Sequence, residues 1–179
     1  MRLIALLRAV NVGGRKVGMA ELREVVEAAG FGDVRTYIAS GNLVVSGKAA
    51  GAEKQLEAVI QKRFGLEVPV IVRTPKQWAS YIATNPLAEA AAQAPSRFFL
   101  AVSKEPAAAG AAEALTGRAV NGEVIAHCGD ALVLHCPNGI GQSKLTAALI
   151  DRLVGSPTTA RNWNTVLALA ELAGGSNLA

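Results

Sequence analysis

Four short stretches of the chain carry residue types that could do chemistry. The first is Asn11-Val12-Gly13-Gly14-Arg15-Lys16, placed between a strand-like run and a helix-like one. Glycines let backbone N–H groups close on an anion, and a helix start adds partial positive charge. Arg8, Arg15 and Lys16 would add full charge, Asn11 a side-chain amide, and Gly13 and Gly14 their backbone. The stretch is no dinucleotide fingerprint. Gly13-Gly14 lacks the G-x-G-x-x-G spacing, and no alternating βαβ pattern of parallel strands follows. A flexible strand-to-helix connection would explain it equally well.

The second stretch, Ser40-Gly41-Asn42, reads as a tight turn between two strands, with Gly41 supplying positive φ. We expect it at the opposite end of its sheet from the first loop, so that the two do not share a pocket. The third, Asn138-Gly139-Ile140-Gly141-Gln142-Ser143-Lys144, precedes a helix. It fails the phosphate-loop pattern, which needs Gly immediately before Lys and four residues between the glycines. Capping alone explains Ser143, yet Lys144 at a helix start could still hold a phosphate. The fourth, Thr158-Thr159-Ala160-Arg161-Asn162-Trp163-Asn164, is the densest polar cluster. Asn162 fits a helix cap. Arg161 is the odd residue, because a cation at a helix start opposes the dipole unless an anion is near. That anion could be a carboxylate of this chain or a ligand.

Several tempting arrangements fail on geometry. His127-Cys128 and His135-Cys136 suggest a metal quartet. With Gly129-Asp130 as a hairpin turn, residue 128 faces 131 and 127 faces 132, so alternation splits the four over both sheet faces. Cys136 would lie about 13 Å along the strand from the position opposite His127, whereas zinc ligands converge within about 2.3 Å of one ion. The same spacing argues against a disulfide, and neither a metal nor a cofactor is expected. No nucleophile–histidine arrangement can be proposed by spacing, so whether the chain is an enzyme stays open. RNA stacking on central strands needs aromatics; Leu3–Leu7 and Leu43–Val45 offer none. Phosphate-only contact with nucleic acid remains a disfavoured alternative.

The elements that must position these residues follow from periodicity. Leu3–Val10 is a buried strand. Met19, Leu22, Val25, Val26 and Ala29 recur at helical spacing, with Gly18 at the cap and Gly30 past the end. Strands at Val34–Ile38 and Leu43–Ser46, a helix bearing Leu56, Val59, Ile60 and Phe64, and a strand at Val68–Arg73 complete a βαββαβ order. That order is ferredoxin-like: a small antiparallel sheet with two helices on one face. Thr74-Pro75-Lys76-Gln77 opens another helix as a capping box. Then come an Ala-rich stretch, a strand at Arg97–Ser103, a helix at Pro106–Leu115, a hairpin about Gly129-Asp130, a helix from Ser143, and a last helix from about Asn162 to Ala173. The fold class is α+β in two small subdomains: residues 1–74 as βαββαβ, and residues 75–179 as a βαββα variant with a linker helix and an extra C-terminal helix.

The totals are consistent with this. The 179 residues are 51% hydrophobic, 18% charged and only 4% aromatic, a globular composition with an Ala, Val, Leu and Ile core. The net charge of +4 mildly favours anionic partners, but no Lys/Arg run marks a nucleic-acid arm or a polybasic membrane patch. No apolar run approaches about 18 residues, so no membrane span is expected. Met1–Val10 lacks the build of a signal peptide, and two cysteines make no disulfide scaffold. A cytoplasmic location is the expectation.

Three motifs, Ala5-Leu6-Leu7-Arg8-Ala9-Val10-Asn11-Val12-Gly13-Gly14, Tyr37-Ile38-Ala39-Ser40-Gly41-Asn42 and Thr158-Thr159-Ala160-Arg161-Asn162-Trp163-Asn164-Thr165, resemble in their order a bacterial family known only as a domain of unknown function, DUF1697. The likeness spans nearly the whole chain. It departs from the family pattern at Ala9, where Gly is usual, and at Ser46, where an aromatic is common. The resemblance implies an α+β fold of two subdomains. It supplies no activity, so no catalytic residue carries over. The residues themselves point to a phosphorylated or otherwise anionic small molecule held by Arg8, Asn11, Gly13, Gly14, Arg15, Lys16, Lys144 and Arg161. The alternatives are weak sequence-independent nucleic-acid binding or a homodimeric interaction protein. The sequence leaves the oligomeric state unknown.

Overall fold

The structure, a computed structural model, describes residues 1–174. Two compact units divide the chain: Met1–Trp78 together with the chain from Leu169 on, and Ala79–Ala168.

The first unit carries β1 (Arg2–Leu7), α1 (Met19–Ala28), β2 (Gly32–Tyr37), β3 (Asn42–Ser46), α2 (Ala52–Phe64) and β4 (Val70–Arg73). Its sheet is antiparallel in the order β2-β3-β1-β4. β1 is central, paired on both sides, and from Leu3 to Leu7 it is buried without interruption. A strand covered on both faces needs a continuous apolar run, not an alternating one. One face carries Leu3, Ala5, Leu7, Leu43, Val45 and Val70, packed with Leu22 and Val26 of α1 and Leu56 and Ile60 of α2. Gly65 closes α2 in the left-handed conformation, its N–H reaching the Gln61 carbonyl at 2.9 Å. Arg63 and Glu21 form an ion pair joining the two helices. On the edge strand β2 the register shifts between Gly32 and Arg35. Arg2 and Arg35 both meet Asp33 there, at 3.2 and 3.1 Å. A bulge with charged side chains blunts an edge that would otherwise recruit another strand.

Next come α3 (Pro75–Ala83), opened by the expected capping box, and α4 (Ala88–Gln93). The Gln77 N–H donates to Thr74 Oγ1 at 3.2 Å, and the Thr74 N–H donates to Gln77 Oε1 at 2.8 Å. The rest of the second unit is β5 (Phe98–Ser103), α5 (Ala111–Thr116), β6 (Val124–Cys128), β7 (Ala131–His135), α6 (Ala147–Val154), β8 (Thr158–Asn162) and α7 (Trp163–Leu172). α7 ends in the part of the chain grouped with the first unit.

The second sheet is ordered β6-β7-β5-β8, which repeats the first strand for strand. This half therefore carries one strand more than the sequence suggested. Thr158–Asn162 is not only a polar lead-in to the last helix but the edge strand β8, paired with β5 from Ser103↔Thr158 to Phe99↔Asn162. Its threonines suit a strand, but Arg161 and Asn162 mask the apolar pattern that would announce one. Even a loop bond is repeated: Arg8 N–H to the Pro69 carbonyl in one unit, Lys104 N–H to Pro157 in the other, at 3.0 and 3.1 Å.

Candidate anion site at the end of the first sheet

β3 runs antiparallel to β1 with Leu6 opposite Asn42. The β2–β3 turn therefore sits beside the end of β1, where the first loop begins. This corrects the expectation that the two lie at opposite ends of the sheet. Placing a strand between β1 and β2 forces them to run the same way, so both finish at one end. The contact is intimate. The Leu7 N–H donates to the Gly41 carbonyl at 2.8 Å. A Cβ on Gly41 would stand 2.6 Å from Val10 Cγ2 and 2.8 Å from Leu7 Cβ, and φ there is 81°. Only glycine fits.

Asn11 ties the loops together. Its Nδ2 donates to the Val17 carbonyl at 3.1 Å and to the Ala39 carbonyl at 2.5 Å, and its Oδ1 accepts from the Val17 N–H at 2.8 Å. Its carboxamide is thus engaged within the protein, so Asn11 shapes the site and does not face a ligand with its side chain. Asn42, wholly buried, fixes the turn from beneath through Tyr37 O and Ser40 Oγ, both at 2.9 Å.

What remains open is the rim. Among the described residues, no hydrogen bond ends on the N–H of Val12, Gly13, Gly14 or Lys16. Gly13 and Gly14 have φ of 57° and 83° with nothing within 4 Å of a Cβ position. A right-handed residue followed by a left-handed one, or a turn, gathers successive N–H groups into an anion-binding concavity, and Val12, which has no positive φ, precedes the left-handed Gly13. α1 begins at Gly18 with no side-chain cap. Lys16 is exposed and Arg8 half-buried. Arg15 is anchored through its guanidinium to the Glu67 carbonyl at 2.6 Å, which also brings the exposed Glu67 to the rim. Residues 8–20 and 34–52 contain no acidic residue.

The second unit supplies an internal comparison. Its counterpart of this loop, residues 104–110, is laced down: Glu105 N–H to Ser156 Oγ at 3.1 Å, Ala107 N–H to the Asp130 carbonyl at 2.9 Å, and Ala108 N–H to Val154 at 3.0 Å. Residues 104–110 contain no positive φ, whereas Ala9, Asn11 and Ile38 of the first unit, none of them glycine, have φ of 55°, 56° and 48°.

Lys144 and Arg161 lie in the second unit. Lys144 is exposed, just ahead of the Thr146 that caps α6 by accepting from the Leu149 N–H. Ser143 is not that cap, contrary to the sequence reading. A 3-10 turn at Ile140–Gln142 intervenes, and Ser143 Oγ donates instead to Glu123 Oε1 at 2.8 Å. Glu123 is buried and also accepts from the Asn121 N–H at 2.8 Å. Burial pushes its carboxyl upward. Hydrogen bonds from its own N–H, from Ser143 and from the backbone of Asn121 and Val120 outweigh that and hold it below the usual range. Arg161 is not at a helix start but within β8, 8% exposed. It donates to Thr159 Oγ1 at 2.7 Å and to the Ala160 carbonyl at 2.9 Å. Burial lowers its pKa to about 10, which leaves it charged near neutrality. Asn162 caps α7 as expected, through the Thr165 N–H at 3.0 Å.

The hairpin register places Cys128 opposite Ala131 and His127 opposite Leu132, as the spacing implied. Burial raises the pKa of both thiols, that of Cys136 to about 11. Two residues escaped sequence reasoning. Val12 and Ile38 are each 56% exposed at the tips of the two joined loops. Tyr37-Ile38-Ala39 reads simply as a strand running out, and nothing in it signals a left-handed Ile.

Residues 1–132 match the family model described as "Protein of unknown function (DUF1697)". Among solved structures the chain is similar to one described as "The structure of conserved bacterial protein SP0830 from Streptococcus pneumoniae", with a TM-score of 0.71 and 19% identity over 96% of this chain and 98% of that one. At that identity the likeness concerns the fold alone. No curated protein matches the chain. No described helix is long and apolar enough to cross a membrane.

Proposed function

Because the chain belongs to the DUF1697 family, whose description assigns no activity, its function must be argued from the site, and we propose that it binds a phosphorylated or otherwise anionic small molecule, in the cytoplasm, at the β1–α1 loop of the first unit. The observation that carries this is the contrast between repeats. One fold is built twice, and among the described residues one of the two equivalent loops leaves the N–H groups of residues 12–14 and 16 without a hydrogen bond beside Arg15 and Lys16, while the other bonds those of Lys104, Glu105, Ala107 and Ala108. Gly13 and Gly14 supply backbone, Arg15 and Lys16 charge, and Asn11 the scaffold. Lys144 and Arg161 belong to the second unit and are not needed for this reading.

A thermal-shift panel of nucleotides, phosphorylated and carboxylate metabolites and a short RNA tests it. A ligand at a hundred times its dissociation constant adds about 2.7 kcal/mol, roughly 5–10 °C for a chain of this size. A shift with a small anion that is lost in Arg15→Ala/Lys16→Ala supports the reading. A response confined to RNA that fades steeply with salt would favour nucleic-acid binding instead. Silence across the panel would contradict the anion site and turn attention to a protein partner or a second copy of the chain.

A further inference from the structure

One sheet ends in the edge strands β2 and β4, the other in β6 and β8. An unpaired edge recruits another strand unless a bulge, a charge or a covering group blunts it. β2 has its bulge and the charges of Arg2, Asp33 and Arg35. On β4 the Val70 and Val72 N–H groups donate to Glu57 Oε1 and Glu53 Oε1, each at 2.9 Å. On β8 the Thr158 N–H donates to Asp151 Oδ1 at 2.9 Å, and the Ala160 carbonyl accepts from the Arg161 guanidinium at 2.9 Å. β6 has none of these devices. Val124-Ile125-Ala126-His127-Cys128 contains no carboxylate, ammonium, guanidinium or proline. Its register with β7 runs without a shift from Val124↔His135 to Cys128↔Ala131. The two-residue turn Gly129-Asp130 makes Cys128↔Ala131 a hydrogen-bonded pair. By alternation Val124 and Ala126 also bond to β7, and Ile125 and His127 turn their N–H and C=O groups away from the sheet. Among the described residues, no hydrogen bond reaches these outward groups. Val124, on the same strand, is 46% exposed.

We propose that β6 is a pairing edge and that its partner is β6 of a second copy of the chain, so that two second-unit sheets join into one antiparallel sheet across a two-fold axis. The inference is independent of the anion site. A two-fold axis imposes the antiparallel direction and sets the strand against itself, so a charged strand would face its own charge. β6 has no acidic, Lys or Arg side chain to repel its copy. With the axis at Ala126, Ile125 of one copy and His127 of the other become hydrogen-bonded pairs that exchange both N–H···O bonds. Ala126 meets Ala126 in the closer, non-hydrogen-bonded position, with about 4.5 Å between Cα atoms. The smallest side chain of the five stands where the strands come closest, and no histidine stands opposite another. An unrelated extended peptide would gain the same backbone bonds, but β6 offers no charge by which to select one.

The test is sedimentation equilibrium of the full chain at about 1–100 μM, the range in which a small interface assembles. It compares wild type with Ala126→Glu, Ala126→Lys and an equimolar mixture of the two variants, with far-UV circular dichroism to show that each is folded. The expectation is a dimer for wild type and a monomer for each variant alone, where like charges meet across the axis. The mixture should dimerise again, because a carboxylate then faces an ammonium. A wild type that stays monomeric throughout would overturn the proposal and leave the edge to a different protein. Dimers that persist in both single variants would place the contact elsewhere and overturn it too. Folded variants whose mixture stays monomeric would overturn the pairing about Ala126. Amide exchange on the wild type reads the edge without any substitution. The Ile125 and His127 amides should be protected at about 100 μM and exchange freely at about 1 μM, and equal rates at both concentrations would contradict the pairing.

Discussion

Asn42 and Glu123 are polar side chains that the fold buries for structural reasons, and each leads to a measurable consequence. Asn42→Ala leaves the Tyr37 carbonyl without its side-chain donor inside the protein. Such a loss costs about 1–3 kcal/mol, so the melting point falls by several degrees in calorimetry. Glu123 titrates below its ordinary value when folded. Its contribution is therefore complete above the unfolded pKa and is lost as pH falls through the lower folded one. Glu123→Gln should be less stable than wild type at neutral pH. The gap should close in acid, below the ordinary carboxylate range, when stability is followed by denaturant melts across pH. The thiols report burial directly. Because both cysteines are buried with raised pKa, alkylation at pH 8 should label neither in the native chain and both in guanidinium. What a residue is made of was legible at this scale; what it does was less so. Asn11 stood out as polar and loop-borne, yet its amide is spent on Val17 and Ala39, and only three-dimensional proximity reveals that. Arg161 was noticed for its charge, but its burial in a strand was invisible from spacing. The strain at Ile38 depends on a dihedral that no local pattern announces.

At the scale of elements, what was legible had short-range causes. The Thr74–Gln77 box, the Asn162 cap and the glycine stops at Gly30 and Gly65 all depend on residues within a turn of one another, and they stand in the structure as read. The β8 edge strand was missed because its pairing partner, β5, lies more than fifty residues away and its own pattern is polar. The start of α6 was misplaced because Ser143 and Thr146 are both good caps in sequence, and the distant Glu123 decides between them. This yields a paired prediction. Thr146→Ala removes the cap and should cost about 1 kcal/mol with loss of helix at residues 147–149. Ser143→Ala should instead free the 138–143 loop and leave α6 intact. Amide exchange over residues 138–150 separates the two, and protection of α6 lost in Ser143→Ala would contradict the assignment.

For the whole molecule, the repeated βαββαβ order gives two sheets of identical strand order, and the asymmetry between their loops is what supports the proposed site. The first repeat was plain from periodicity, and the second was only partly so because its fourth strand was hidden. The placement of the β2–β3 turn beside the first loop follows from topology and could have been deduced from the βαββαβ order itself, since a strand inserted between β1 and β2 makes them parallel. The most direct test is to titrate the isotopically labelled chain with pyrophosphate and follow the amide resonances. One ligand should bind per chain, with shifts concentrated at residues 12–20 and the 38–41 turn and with residues 104–110 and 138–146 unmoved. Shifts centred on Lys144 or Arg161, or no shifts at millimolar ligand, would contradict the assignment of the site to the first loop.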